Sequence, residues 1–126
     1  MALILYNRAK VIHTICRLAI DLASLNKSFF QLVEASGVSS LSQPISANEI
    51  SDYLRRDPKL VSAWLAWSAD KRTSTGPYFS EREGNFEVGV LCGDGTCSVL
   101  GQFEDRVEAC GVFLEQELAA RHTCTR

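Results

Sequence analysis

The sequence predicts an α+β fold: N-terminal helices, a three-stranded antiparallel meander and a C-terminal covering helix. Three observations carry this. Apolar residues recur at three- and four-residue steps before Asp70 and again after Asp105. Between Tyr78 and Leu100 they alternate instead, at the period of a half-buried strand. Glycine-bearing turns at Glu83-Gly84-Asn85 and Gly93-Asp94-Gly95 divide that alternating stretch into three short runs.

The first element is a helix from about Arg8 to Ala35. Val11, Ile15, Leu18, Leu22, Leu25, Phe29 and Leu32 line one face, and Asn26, Lys27 and Ser28 are weak helix formers that could bend it. Gly37 provides a left-handed stop, and Val38 to Pro44 is a serine-rich connector. Ser46 with Glu49 forms a capping box for a helix ending near Arg55. Asp57-Pro58 then starts another helix, with Leu60, Trp64 and Trp67 toward one side. The i, i+3 tryptophan pair reads as core.

Gly76-Pro77 closes the helical half. Tyr78-Phe79 opens a strand, Phe86, Val88 and Val90 mark its return, and Thr96 to Leu100 is the third strand. A meander this small needs a helix across one face. Asp105 and Glu108 start that helix, with Phe103, Val107, Cys110, Leu114 and Leu118 as its stripe. The order α-α-α-β-β-β-α makes two layers. With 126 residues, 46% of them hydrophobic and 22% charged, the chain is expected to be a single domain, 1–126. Its helical part covers about 8–70, and the meander with its helix about 77–121.

Charge is unevenly placed. Up to Arg72 there are nine Lys/Arg against six Asp/Glu, and after it four against nine. The acidic half contains Glu81, Glu83, Glu87, Asp94, Glu104, Asp105, Glu108, Glu115 and Glu117. Such a field repels nucleic acid and speeds encounter with a basic protein. No apolar run reaches the roughly 20 residues of a membrane span, and Arg8 and Lys10 interrupt the apolar start too early for a secretory core. A cytoplasmic location is expected.

Five cysteines (16, 92, 97, 110 and 124) and two histidines (His13 and His122) show no CxxC or other zinc-type spacing, so no metal or cofactor is expected. Cys16 and Cys110 fall on apolar stripes. Cys92 and Cys97 flank a turn and could face each other across a hairpin.

Motifs for catalysis are missing from the pattern. There is no G-x-S-x-G elbow, and Gly93-Asp94-Gly95-Thr96 lacks the lysine and following helix of a phosphate loop. Two helices followed by a hairpin resemble a winged helix-turn-helix, but Lys59 to Asp70 offers no Arg, Asn or Gln for base edges and the wing is acidic. The expectation is a non-enzymatic binding protein. A DNA-binding regulator of winged-helix type, or a regulatory or scaffold protein of an unrelated pathway, is the alternative.

A helix ending W-x-x-W-S-x-D-K-R, the segment T-S-x-G-x-Y-F, then E-V-G and a final F-x-D-x-V-E-A-C together resemble small bacterial immunity proteins, over roughly Ser62 to Leu118. Those proteins neutralise a cognate toxin in contact-dependent or secretion-delivered competition. The resemblance implies a protein toxin as partner, basic and often a nuclease, with an acidic surface covering its active cleft. Tyr78 as an aromatic anchor and Glu81, Glu83, Glu87 and Asp94 as acids are the expected contact residues. The helix-end group Asp70, Lys71 and Arg72 is either a second part of that surface or an end-cap.

Overall fold

The computed structural model of the chain describes residues 8–24, 29–38, 41, 43–70, 76–92 and 96–123. It contains α1 (Arg8–Cys16), α2 (Leu18–Ser24), α3 (Phe29–Ala35), α4 (Ala47–Arg56), α5 (Lys59–Asp70), β1 (Gly76–Arg82), β2 (Asn85–Leu91), β3 (Cys97–Phe103) and α6 (Arg106–Thr123). The architecture is α+β, with one antiparallel sheet in the order β1-β2-β3.

The single long helix expected from Arg8 to Ala35 is broken within its first half, between α1 and α2, while residues 25–28 between α2 and α3 lie outside the described residues. The break is at Arg17, where Ile20 N–H donates to the Arg17 carbonyl (3.0 Å), a three-residue step. The Cys16 carbonyl at the break receives the Trp64 indole N–H at 2.9 Å. A tertiary partner for that carbonyl is something periodicity cannot register. The weak formers Asn26, Lys27 and Ser28 lie outside the described residues.

Local signals elsewhere act as their chemistry dictates. The Ser46 hydroxyl accepts from Glu49 N–H (3.2 Å), while Ser46 N–H donates to the Glu49 carboxylate (3.0 Å), completing the capping box of α4. Arg8 holds this corner from α1, its guanidinium reaching both Glu49 oxygens (2.6 and 2.8 Å) and the Gln43 and Pro44 carbonyls. Asp105 caps α6 by accepting from Val107 N–H at 2.9 Å, and pairs with Arg55 at 2.8 Å.

The hairpin β1–β2 turns on two residues. Glu83 and Gly84 both have positive φ (52° and 85°), the mirror-image turn whose twist matches antiparallel strands, and Arg82 pairs with Asn85. Strand β1 starts at Gly76, so Gly76-Pro77 belongs to the sheet rather than ending the helical half. Between β2 and β3 the register slips at Val88/Gly89, with Gly101 opposite Val88 and Val99 opposite Gly89. Leu100 is therefore an extra residue, a bulge.

The helices stand two deep on one face of the sheet. Helices α5 and α6 pack on the strands, α4 packs on α6, α1 on α4 and α2 on α5. One cluster of buried side chains runs through them, including Ile15, Leu54, Leu60, Trp64, Phe79, Val88, Phe113 and Leu114. Phe113 stacks on Phe79 (5.5 Å between centroids) and meets Trp64 edge-on at 6.1 Å. Because α6 is wedged between α4 and the sheet, it buries Ala109, Gly111 and Phe113 besides the predicted stripe of Val107, Cys110 and Leu114. An ideal Cβ at Gly111 would stand 2.2 Å from Ser51 Oγ and 2.7 Å from the Ala47 carbonyl. The absence of a side chain sets the α4–α6 distance.

Candidate functional site

The faces of the sheet follow from register. Cross-strand partners share a face, so Phe79, Val88, Phe86 and Phe103 point toward the helices. Tyr78, Gly89, Val99, Leu91, Cys97, Glu87 and Gln102 point the other way, and no described element covers them. This outer face is the candidate site.

Its centre is an ordered polar and aromatic array. The Tyr78 ring lies against Gly89, its cross-strand neighbour; a Cβ there would be 2.7 Å from Tyr78 Cε2 and 2.6 Å from its hydroxyl. Glycine at 89 is thus what lets the ring lie flat on the strand pair. The Tyr78 hydroxyl donates to Glu87, and Gln102 reaches the second Glu87 oxygen at 3.5 Å. Partial burial, then the Glu87 carboxylate, raises the phenol pKa above its ordinary value. Tyr78 therefore stays a neutral donor. Among the described residues no cluster of three His, Cys, Asp or Glu stands where it could hold a metal ion.

The expected contact residues do not form one surface. Tyr78 and Glu87 come together. Glu81 pairs with Phe86 and so leaves the sheet on the helix side, exposed near the hairpin tip, opposite in direction to Glu87. Glu83 sits in the turn itself. The residues Lys71, Arg72 and Asp94, and the side chain of Asp70, lie outside the described residues. Sequence reasoning missed Gln102, Val99 and Leu100. Among the described residues the last two are the exposed large hydrophobics, at 51% and 48% exposure, and their presence on an outer strand was readable from the alternation, but the bulge was not.

The acidic field is thinner than composition implies. Glu117 is 3% exposed, Asp105 is paired with Arg55, and the Glu115 carboxylate accepts from Ala47 N–H at 3.1 Å. Glu81, Glu83, Glu104 and Glu108 remain exposed, with Glu87 partly so. The cysteines also divide. Cys16 and Cys110 are buried free thiols, and burial pushes Cys16 up to about 12. Cys97 lies opposite Leu91, whereas Cys92 donates its N–H to the Thr96 carbonyl at 2.8 Å. That one-residue offset sends Cys92 and Cys97 to opposite faces, so they do not face each other and both are free.

No described helix is long and apolar enough to cross a membrane. No family model, curated protein or solved structure matches this chain, so its fold and surface stand as the guides to what it does.

Proposed function

We propose that the chain is a non-enzymatic binding protein of the immunity type, which neutralises a basic protein toxin by covering its active cleft. The observation that carries this is the array of Tyr78, Glu87 and Gln102 on an uncovered sheet face. An aromatic ring and a carboxylate locked by mutual hydrogen bonds lose little freedom on binding, which is where affinity is gained.

Two further features support it. Glu83 occupies a left-handed backbone position that costs a non-glycine residue about 1–2 kcal/mol, where asparagine or glycine would cost less. A role in contact would account for a strained glutamate at the hairpin tip. Among the described residues, the exposed side of α5 consists of Lys59, Ser62, Ala66 and Ala69, which gives a DNA groove one cation and no base-reading amide. That weighs against the winged-helix regulator.

The test is to produce the protein encoded by a large reading frame beside this gene and titrate it with the chain. The expected result is a one-to-one complex that abolishes the toxin's activity. Tyr78→Ala should weaken it by about 100-fold, the loss of a typical aromatic anchor of about 2–3 kcal/mol, with circular dichroism unchanged. A neighbouring product that is neither bound nor inhibited removes the reading.

A further inference from the structure

The outer face of the sheet carries two opposite charges that do not meet. Register puts Tyr78, Ser80 and Arg82 of β1 on that face, beside Gly89, Glu87 and Asn85 of β2. Glu87 stands opposite Ser80, so Arg82 and Tyr78 are its two diagonal neighbours, one toward the hairpin tip and one away from it. Its carboxylate takes the Tyr78 hydroxyl on one oxygen and Gln102 of β3, at 3.5 Å, on the other. Among the described residues, Glu87 forms no ion pair with Arg82 or with any other cation. A cation that the register places within diagonal reach is passed over for a phenol.

Both donors to Glu87 are neutral, so its charge is not cancelled inside the array. An ionised carboxylate has about four lone-pair sites, which leaves sites for further donors at a half-exposed side chain. Beside it, the Tyr78 ring rests one face on Gly89 and turns the other to the side of the sheet that no described element covers. Ser80, Asn85, Leu91, Cys97 and Val99 on the same face are uncharged. Past the end of β3 the exposed Glu104, Arg106 and Glu108 alternate in sign and give the face no sign of their own. The β1 edge is closed, because Pro77 has no N–H and Phe79 N–H donates to Ser68 Oγ of α5 at 2.9 Å. A ligand therefore reaches the array from above the face, not by adding a strand beside Tyr78.

We propose that Tyr78 and Glu87 form a receptor for one arginine side chain of a basic protein partner, the guanidinium lying on the open face of the Tyr78 ring and pairing with Glu87. The flat fork of arginine suits both halves. It stacks on an aromatic face and offers two N–H groups to one carboxylate, whereas the ammonium of lysine is a point charge. The choice of occupant follows from charge on the same hairpin. On the outer face of a second copy the cation is Arg82, which comes between Glu81 and Glu83 at the tip and would bring their charge toward Glu87. An arginine on a basic surface carries no such repulsion. This inference rests on the binding-protein reading and names the group that the partner must present.

The experiment is a residue-level NMR titration of the full chain with N-acetyl-arginine amide. The matching lysine and citrulline amides are the controls, citrulline keeping the planar shape without the charge. Arginine should move the Gln102 side-chain amide and the Glu87 and Tyr78 signals saturably. Lysine should need about threefold more for the same shift, and citrulline should move nothing. Glu87→Gln should abolish the response with an unchanged circular dichroism spectrum. Tyr78→Leu should weaken it by about threefold, and Arg82→Ala should retain it.

An equal response to citrulline means that the ring takes flat groups regardless of charge, and an equal response to lysine means that charge alone is read. Shifts spread evenly over Glu81, Glu83 and Glu108 mean a diffuse counter-ion. Each overturns the proposal, as do array shifts that grow with protein concentration alone and vanish in Arg82→Ala, which mean a second copy. A parent that ignores arginine also overturns it; a response restored by Lys71→Ala with Arg72→Ala would then mean that the chain fills the array itself. If a neighbouring toxin is inhibited by Glu87→Gln as well as by the parent but escapes Tyr78→Ala, the inhibitor reading survives and the arginine proposal falls. If arginine binds at the array but no toxin is bound, the reverse holds.

Discussion

The indole N–H of Trp64, on α5, donates at 2.9 Å to the carbonyl of Cys16, where α1 gives way to α2. One bond thus satisfies the single polar atom of a fully buried tryptophan and a carbonyl at a helix break. It ties the first helices to the helix that carries the sheet.

Two substitutions separate the contributions of that residue. Trp64→Ala should cost about 3–5 kcal/mol, through lost apolar burial and the cavity left beside Trp67 and Phe113. Trp64→Phe keeps most of the ring but leaves the Cys16 carbonyl unpaired, at about 1–3 kcal/mol. Chemical denaturation of both variants measures the two terms. A Trp64→Phe loss near zero would mean that the hydrogen bond contributes nothing separable.

Gly111→Ala sets two effects against each other. A helix interior gains about 1 kcal/mol from alanine over glycine, yet the new methyl would meet Ser51 Oγ and the Ala47 backbone oxygen well inside contact distance. A side chain can rotate, but the Ala47 carbonyl can move only with α4. Overpacking of this kind costs about 1–3 kcal/mol, so a net loss of stability is expected in a thermal melt. Gly111→Ala with Ser51→Ala should recover only part of it.

Glu83→Asn should stabilise the chain by about 0.5–1 kcal/mol, because asparagine tolerates the left-handed conformation of the turn better than glutamate. The same change removes a charge from the hairpin tip. A variant that gains stability and loses partner binding is the expected outcome, read by urea denaturation beside a titration calorimeter.

Acid should weaken the corner held by Arg8. The Arg8 guanidinium, then the Ser46 N–H, lowers the Glu49 pKa from 4.5 to about 2. A carboxylate with a depressed folded pKa stabilises the fold above its unfolded value and loses that contribution as pH falls. The window is therefore between about 4.5 and 2. Solvent screening of a pair whose side chains are each 35% exposed keeps the effect small. Denaturation midpoints of the parent and Glu49→Gln should converge as pH approaches the lower end of that window.

How far the sequence could be read differs by element. The capping box at Ser46, the start at Asp105 and the Glu83-Gly84 turn are local chemistry, in which a few adjacent residues satisfy one another, and they appear where the residues put them. The break at Arg17 and the burial of Phe113 are not local. They depend on Trp64 arriving from forty-eight positions away and on α6 being wedged between two layers. At the site, Tyr78 and Glu87 were legible as an aromatic and an acid on neighbouring strands. Their hydrogen bond, and the separation of Glu81 from Glu87, required the register. One residue of offset decides which face a side chain takes, and composition carries no information about offset. The same holds for Cys92 and Cys97.

The closed edge at β1 has a consequence for assembly. Strand addition propagates without limit only when each newcomer offers a fresh edge like the one it covered. Here Pro77 and the Ser68–Phe79 bond deny that second edge, so a copy of this chain that docked through β3 would present nothing for the next to join. A pair of copies joined β3 to β3 would therefore carry a β1 strand at each outer edge, where Pro77 has no N–H and the Phe79 N–H is already bonded.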